Sequence, residues 1–219
     1  MKYHLETARS LPFPLISDAL VKDCAEAGIK LAELSIAHLP IDFDCDELTY
    51  TLLYQHSLFR KHGIKVVSVH IPFGREWDIC DCRDDVRILA KKRVIDFVGC
   101  CAFMKPDRFI IHTSSEPIPD CERKTRINLF RANSAIVAKA CFPSKLAVEN
   151  LPRTCMGNAS DELIEMTDGI DNICICCDLN HSLKEKTYEL IENLGSRIET
   201  LHVSDYDGID EKHWMPLEG

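Results

Sequence analysis

The sequence predicts an α/β fold, a TIM (β/α) barrel with seven strands that lacks the eighth strand–helix unit. Three observations carry this. Short β-branched runs alternate with longer segments of helical period along the whole chain, and βαβα order means parallel strands joined by crossover helices. The strand-like runs are apolar on both faces, as strands covered from both sides must be. Their starts recur roughly every 25–45 residues, about the length of one strand–helix unit.

The first strand is expected at His4–Ala8, ahead of a loop carrying Pro12 and Pro14. Ser17 can cap a helix running to Gly28, with Leu20, Val21 and Cys24 on one face,. A strand at Leu31–Ile36 follows. Asp44 and Glu47 have capping-box spacing, and Gly63 stops the helix they open,. The third strand is Ile64–Ile71. Residues 84–104 then place Val86, Leu89, Ala90, Val94, Phe97, Val98 and Cys101 on one stripe,. After the strand Arg108–Thr113, residues 121–141 place Ile127, Phe130, Val137 and Cys141 similarly. The strand Lys145–Asn150 and a short helix near 160–168 lead to the strand Asn172–Asp178. Ser182 and Glu185 form a second capping-box pair before Tyr188, Ile191 and Leu194, and Gly195 ends that helix. Glu199–Val203 is the last strand.

A chain of 219 residues suits one domain, 1–219, with no composition shift to mark a boundary,. A net charge of −9 and the lack of any basic run disfavour nucleic acid and anionic membrane as partners,. No apolar stretch reaches the ~18 residues needed to span a bilayer. Met1-Lys2-Tyr3-His4 opens a mixed polar segment rather than a secretion signal,. The 12 cysteines sit inside apolar runs such as Cys174-Ile175-Cys176-Cys177, where free Cys behaves as a small hydrophobe. A reduced, cytoplasmic protein is expected. Cys80-x-Cys82 has the spacing of half a zinc site, but no second pair completes it,.

The polar residues fall at the strand ends. Glu33, His70, His112, Glu149, Asp178 and His202 each end one run, and Asp178 leads into Leu179-Asn180-His181. Parallel strands in a barrel point all their C-termini to one face, so six residues far apart in sequence converge. Any one of them alone is an ordinary strand-end residue. Six together would be costly to bury without a metal or a substrate. Mixed carboxylates and imidazoles suit a divalent ion such as Mn, Mg, Co or Zn.

The segments His70-Ile71-Pro72, Ile111-His112, Val148-Glu149-Asn150, Asp178-Leu179-Asn180-His181 and His202-Val203-Ser204-Asp205, with Asp207-Gly208 and Asp210-Glu211-Lys212-His213 downstream, resemble the xylose isomerase-like TIM barrel superfamily. That superfamily holds sugar and sugar-phosphate isomerases and epimerases and the endonuclease IV-type nucleases. The resemblance runs from about Ser17 to the end of the chain. It implies that Glu149, Asp178 and His202 ligate a metal, and that Glu149 and His181 are catalytic, acting through a metal-stabilised enediolate. Glu33, His70, His112, Asn150 and Arg153 become candidates for binding a small-molecule sugar, with His181, Asp210 and His213 as a second metal set. A fourth ligand, a Glu ending an eighth strand, has no counterpart here, so a C-terminally incomplete barrel is expected. A second copy of the chain, in a homo-oligomer, is one expected cover for the open edge. The alternative is an endonuclease IV-type phosphodiesterase acting on abasic DNA, or another metal-dependent lyase or hydrolase. Against the nuclease stand the acidic charge and the Asp210–His213 spacing of three, where that family has two.

Overall fold

The computed structural model describes residues 6–37 and 39–219. Seven strands, β1 (Ala8–Pro12), β2 (Leu31–Ser35), β3 (Lys65–His70), β4 (Arg108–His112), β5 (Lys145–Glu149), β6 (Ile173–Asp178) and β7 (Ile198–His202), form one parallel sheet in chain order. Helices α1 (Asp18–Glu26), α2 (Cys45–Lys61), α3 (Asp84–Cys101), α4 (Asp120–Cys141), α5 (Ser160–Thr167) and α6 (Thr187–Leu194) fill the crossovers. The sheet curls strongly. On a flat sheet with ~4.8 Å between strands, β2 and β7 would lie roughly 24 Å apart. Here Glu33 of β2 and His202 of β7 meet at 3.2 Å. This is a TIM-type barrel short of one unit, with β1 and β7 not paired to each other among the described residues.

Period-two alternation sorts the strand residues into two shells. Leu34, Val69, Phe109, Ile111, Leu146, Val148, Ile175 and Cys177 face outward and join the main core with helix residues such as Leu52, Phe59, Phe97, Phe130 and Leu163. Ile110, Ala147, Cys174 and Cys176 form a separate small cluster on the inner face. The next inward positions above them are His112, Glu149 and Asp178. The alternation that builds the core therefore also aims the ionisable residues inward.

Of the expected first strand, His4–Ala8, residues 4 and 5 lie outside the described residues, and of the other three Ala8 alone is in a strand. The strand observed starts at Ala8 and ends on Pro12, which an edge strand tolerates because the missing N–H costs no ladder bond on the open side,. Ser17 caps α1 through Leu20 N, and Asp44 caps α2 through Asp46 N and Glu47 N. The second capping box does not form. Residues 179–181 make a 3₁₀ turn, and α6 starts only at Thr187 without a side-chain cap. Glu185 instead accepts hydrogen bonds from the Ser160 N–H at 2.6 Å and hydroxyl at 2.8 Å, and so caps α5. No helix among the described residues is long and apolar enough to cross a membrane.

Candidate metal centre

Glu149, at the end of β5 and 1% exposed, is the hub. Its Oε2 lies 3.1 Å from His70 Nε2 and 3.2 Å from His112 Nε2. Its Oε1 lies 2.7 Å from His202 Nδ1 and 3.8 Å from His181 Nδ1. Asp178, also buried, brings Oδ2 to 3.6 Å from His202 Nδ1 and 3.7 Å from His181 Nδ1. The residues expected to hold a metal, Glu149, Asp178 and His202, are thus brought together by β5, β6 and β7.

The imidazoles are held from outside. His70 donates Nδ1–H to the Ile71 carbonyl at 2.9 Å, and His181 donates Nδ1–H to the Asn150 carbonyl at 2.9 Å. His202 donates Nε2–H to Glu33 Oε2 at 3.2 Å. Each ring spends one nitrogen on an oxygen and turns the other towards the carboxylates, which is how ligating histidines are oriented. Buried carboxylates facing anchored imidazole nitrogens fit a divalent ion such as Zn, Co or Mn; the imidazole content suits Mg less well.

The charges describe a strongly coupled cluster. Burial pushes the Glu149 carboxyl up, but the imidazoles of His202, His112 and His70 outweigh it and hold its pKa well below the usual range. Burial opposes charge on His202, and Cys176, Glu149 and Asp178 outweigh it, so that ring protonates well above its normal pH. On His112 burial wins, and the ring's pKa is lowered.

A second group adjoins the first. His181 Nε2 lies 3.2 Å from Glu211 Oε2, and His213 Nε2 lies 4.0 Å from the same oxygen. His181, Glu211 and His213 each offer one donor atom within 4.8 Å of the others. Ser204 Oγ stands 3.4 Å from His213 Nδ1, and buried Asn180 holds the loop by accepting from Lys212 N and donating to Ser204 Oγ.

Four of the residues assigned from sequence have partners within the protein. Asp210, placed with His181 and His213, turns away to Arg153 at 2.9 Å, and Glu211 takes its place. The Glu211-x-His213 spacing was the available signal. Arg153, a candidate for substrate, is engaged by Glu116, Asp210 and Glu211. Asn150, 2% exposed, spends its amide on the Asp178 backbone, donating to its carbonyl at 2.9 Å and accepting from its N–H at 2.7 Å. It ties β5 to β6. Glu33, also read as a substrate contact, sits against Ser68 Oγ at 2.7 Å and His202.

No protein-family model and no curated protein sequence matches the chain. Solved structures do. A D-tagatose 3-epimerase-like protein is 19% identical, with a TM-score of 0.77, over 97% of this chain and 82% of its own. A Rhodospirillum rubrum protein provisionally named xylose isomerase is 16% identical, with a TM-score of 0.82, over 96% and 80%. The fold shared with these solved structures is the TIM-type (β/α) barrel. A third barrel of this kind, a Thermus thermophilus protein soaked with zinc chloride, is 20% identical, with a TM-score of 0.71, over 97% and 82%.

Proposed function

We propose that this barrel is a metal-dependent sugar isomerase or epimerase. The observation that carries the reading is Glu149: a buried carboxylate at a strand end, within 4 Å of four imidazoles and close to Asp178. Glu149, Asp178 and His202 would hold the first ion, and His181, Glu211 and His213 a second. A divalent ion supplies Lewis acidity to neighbouring carbonyl and hydroxyl oxygens of a sugar. Glu149 is the base that removes the proton from the carbon beside the carbonyl. One carboxylate can take a proton from one carbon and return it to the next on the same face, which is isomerisation. Epimerisation requires a second group on the opposite face. Arg153 is occupied by three carboxylates and is not the group that would meet a phosphate on the sugar. Twelve free thiols suit a reducing, cytoplasmic setting,.

The test is a panel of ketoses and aldoses with Mn, Co, Zn or Mg restored in turn, in deuterated water. The expected result is interconversion with deuterium entering the substrate carbon. No conversion and no exchange with any metal would overturn the reading. A second reading, a multi-metal phosphodiesterase, is favoured by one observation, the Glu211–His213 pair two residues apart beside His181. Cleavage of abasic duplex DNA at low enzyme concentration, with steep salt dependence of binding, would establish it instead.

A further inference from the structure

Arg153 leaves the β5–α5 loop with a left-handed backbone, φ 52°, an uncommon conformation for a residue with a side chain. Asn158 steadies it by donating Nδ2–H to the Arg153 carbonyl at 2.7 Å, and Lys184 of the β6–α6 loop donates to the Asn158 side-chain oxygen at 3.0 Å. The guanidinium then spans two further loops. It donates to Glu116 of the β4–α4 loop at 2.6 Å and 3.1 Å, to Asp210 at 2.9 Å and to Glu211 at 3.0 Å. Glu211 divides its carboxylate: Oε1 accepts from Arg153, and Oε2 faces His181 Nε2 at 3.2 Å.

As a source of stability this network is weak, because half-exposed ion pairs contribute little. Its consequence is orientation. Glu211 lies on an irregular segment after β7, with no helix or strand to set its rotamer. Holding one of its oxygens fixes where the other points. We propose that Arg153 is a positioning residue that sets Glu211 to complete the cation site of His181, Glu211 and His213, and that it does not touch the substrate. This rests on the metal reading above. Only a planar fork with several donors can serve Glu116 and both β7-loop carboxylates at once; an ammonium is a single point charge.

The experiment is a zinc titration of the full chain by calorimetry, with circular dichroism to confirm that each variant is folded. The wild type should bind two ions per chain. Arg153→Met should weaken the second ion by ~10-fold or more, the usual effect of losing a group that orients a ligand, and leave the first unchanged. Glu211→Gln should behave likewise, Asp210→Asn should keep both ions, and Arg153→Lys should fall between wild type and Arg153→Met. Two ions bound with wild-type affinity by folded Arg153→Met would overturn the positioning role while leaving the metal reading intact. Equal loss of both ions in that variant would also overturn it, since the effect would then be general. A wild type that binds no zinc would overturn the metal reading itself, and this inference with it.

Discussion

Glu33 offers a sharp test of how the centre is built. It is 6% exposed, and β2 carries a register shift at Ala32/Glu33, an irregularity of the kind that re-aims a side chain,. Its Oε2 accepts from Ser68 Oγ at 2.7 Å and from His202 Nε2 at 3.2 Å. Burial pushes its carboxyl up, and hydrogen bonding and charge from His202 and charge from His70 outweigh this, so its pKa is lowered. Glu33 is thus an anion that orients His202 Nδ1 towards Glu149 and Asp178. Glu33→Gln keeps the volume and an acceptor oxygen but removes the charge. Losing such an outer partner typically costs 10–100-fold in metal affinity, which is about 1.4–2.7 kcal/mol. A direct ligand should cost far more, so His202→Ala is the reference. The assay is competition of the first ion against a chromophoric chelator. We expect a 10–100-fold rise in Kd for Glu33→Gln, with a loss at least tenfold greater for His202→Ala. An unchanged Kd would refute the orienting role, and a loss equal to that of His202→Ala would make Glu33 a ligand itself.

Glu149→Gln keeps the shape of the hub and removes the base, so turnover and solvent exchange should both fall by ~10²-fold or more; steady-state rates and deuterium incorporation report it. Asp78 is buried and accepts from Cys80 N, Ser115 N, Ser115 Oγ and Arg126, so Asp78→Ala should cost about 3–5 kcal/mol by leaving a buried guanidinium short of its partner. Urea unfolding of Asp78→Ala against Asp78→Ala/Arg126→Met should show the double variant regaining part of the loss. A Cβ at Gly157 would meet Leu163 Cδ2 and Thr113 Cγ2 at 2.9 Å with φ at +69°, so Gly157→Ala should cost about 1–3 kcal/mol of stability, seen as a lower urea midpoint. Thiol labelling of the native protein should find Cys45, Cys82 and Cys121 fast, while the eight buried cysteines react only on unfolding.

Six of the seven strands were legible because covered parallel strands are nearly continuous apolar runs, and their inward residues read as polar interruptions at the ends. Leu146-Ala147-Val148-Glu149 announces both its core face and its charge. The clustering of Glu149 with Asp178 and His202 followed from geometry common to all parallel barrels. What was not legible sits in loops, where tertiary contacts decide. Nothing local says that Glu185 will leave its own helix to cap α5, that Asn150 will bind the Asp178 backbone, or that Arg153 will be consumed by acids from two other loops. The first strand was misplaced because Pro12 reads as a loop residue until its open edge is known.

The anchoring of one nitrogen on each ring makes the centre addressable atom by atom. An asparagine amide stands roughly where the Nδ1 of a histidine would be, and a glutamine amide where Nε2 would be. At His202, whose Nε2 is tied to Glu33 and whose Nδ1 faces the carboxylates, Asn would mimic the inward half of the ring and Gln the outward half. At His70 and His181, anchored through Nδ1, the assignments reverse. Asn and Gln swaps at these three positions can therefore sever support and ligation separately, which a protein engineer could use to tune ion preference without redesigning the barrel.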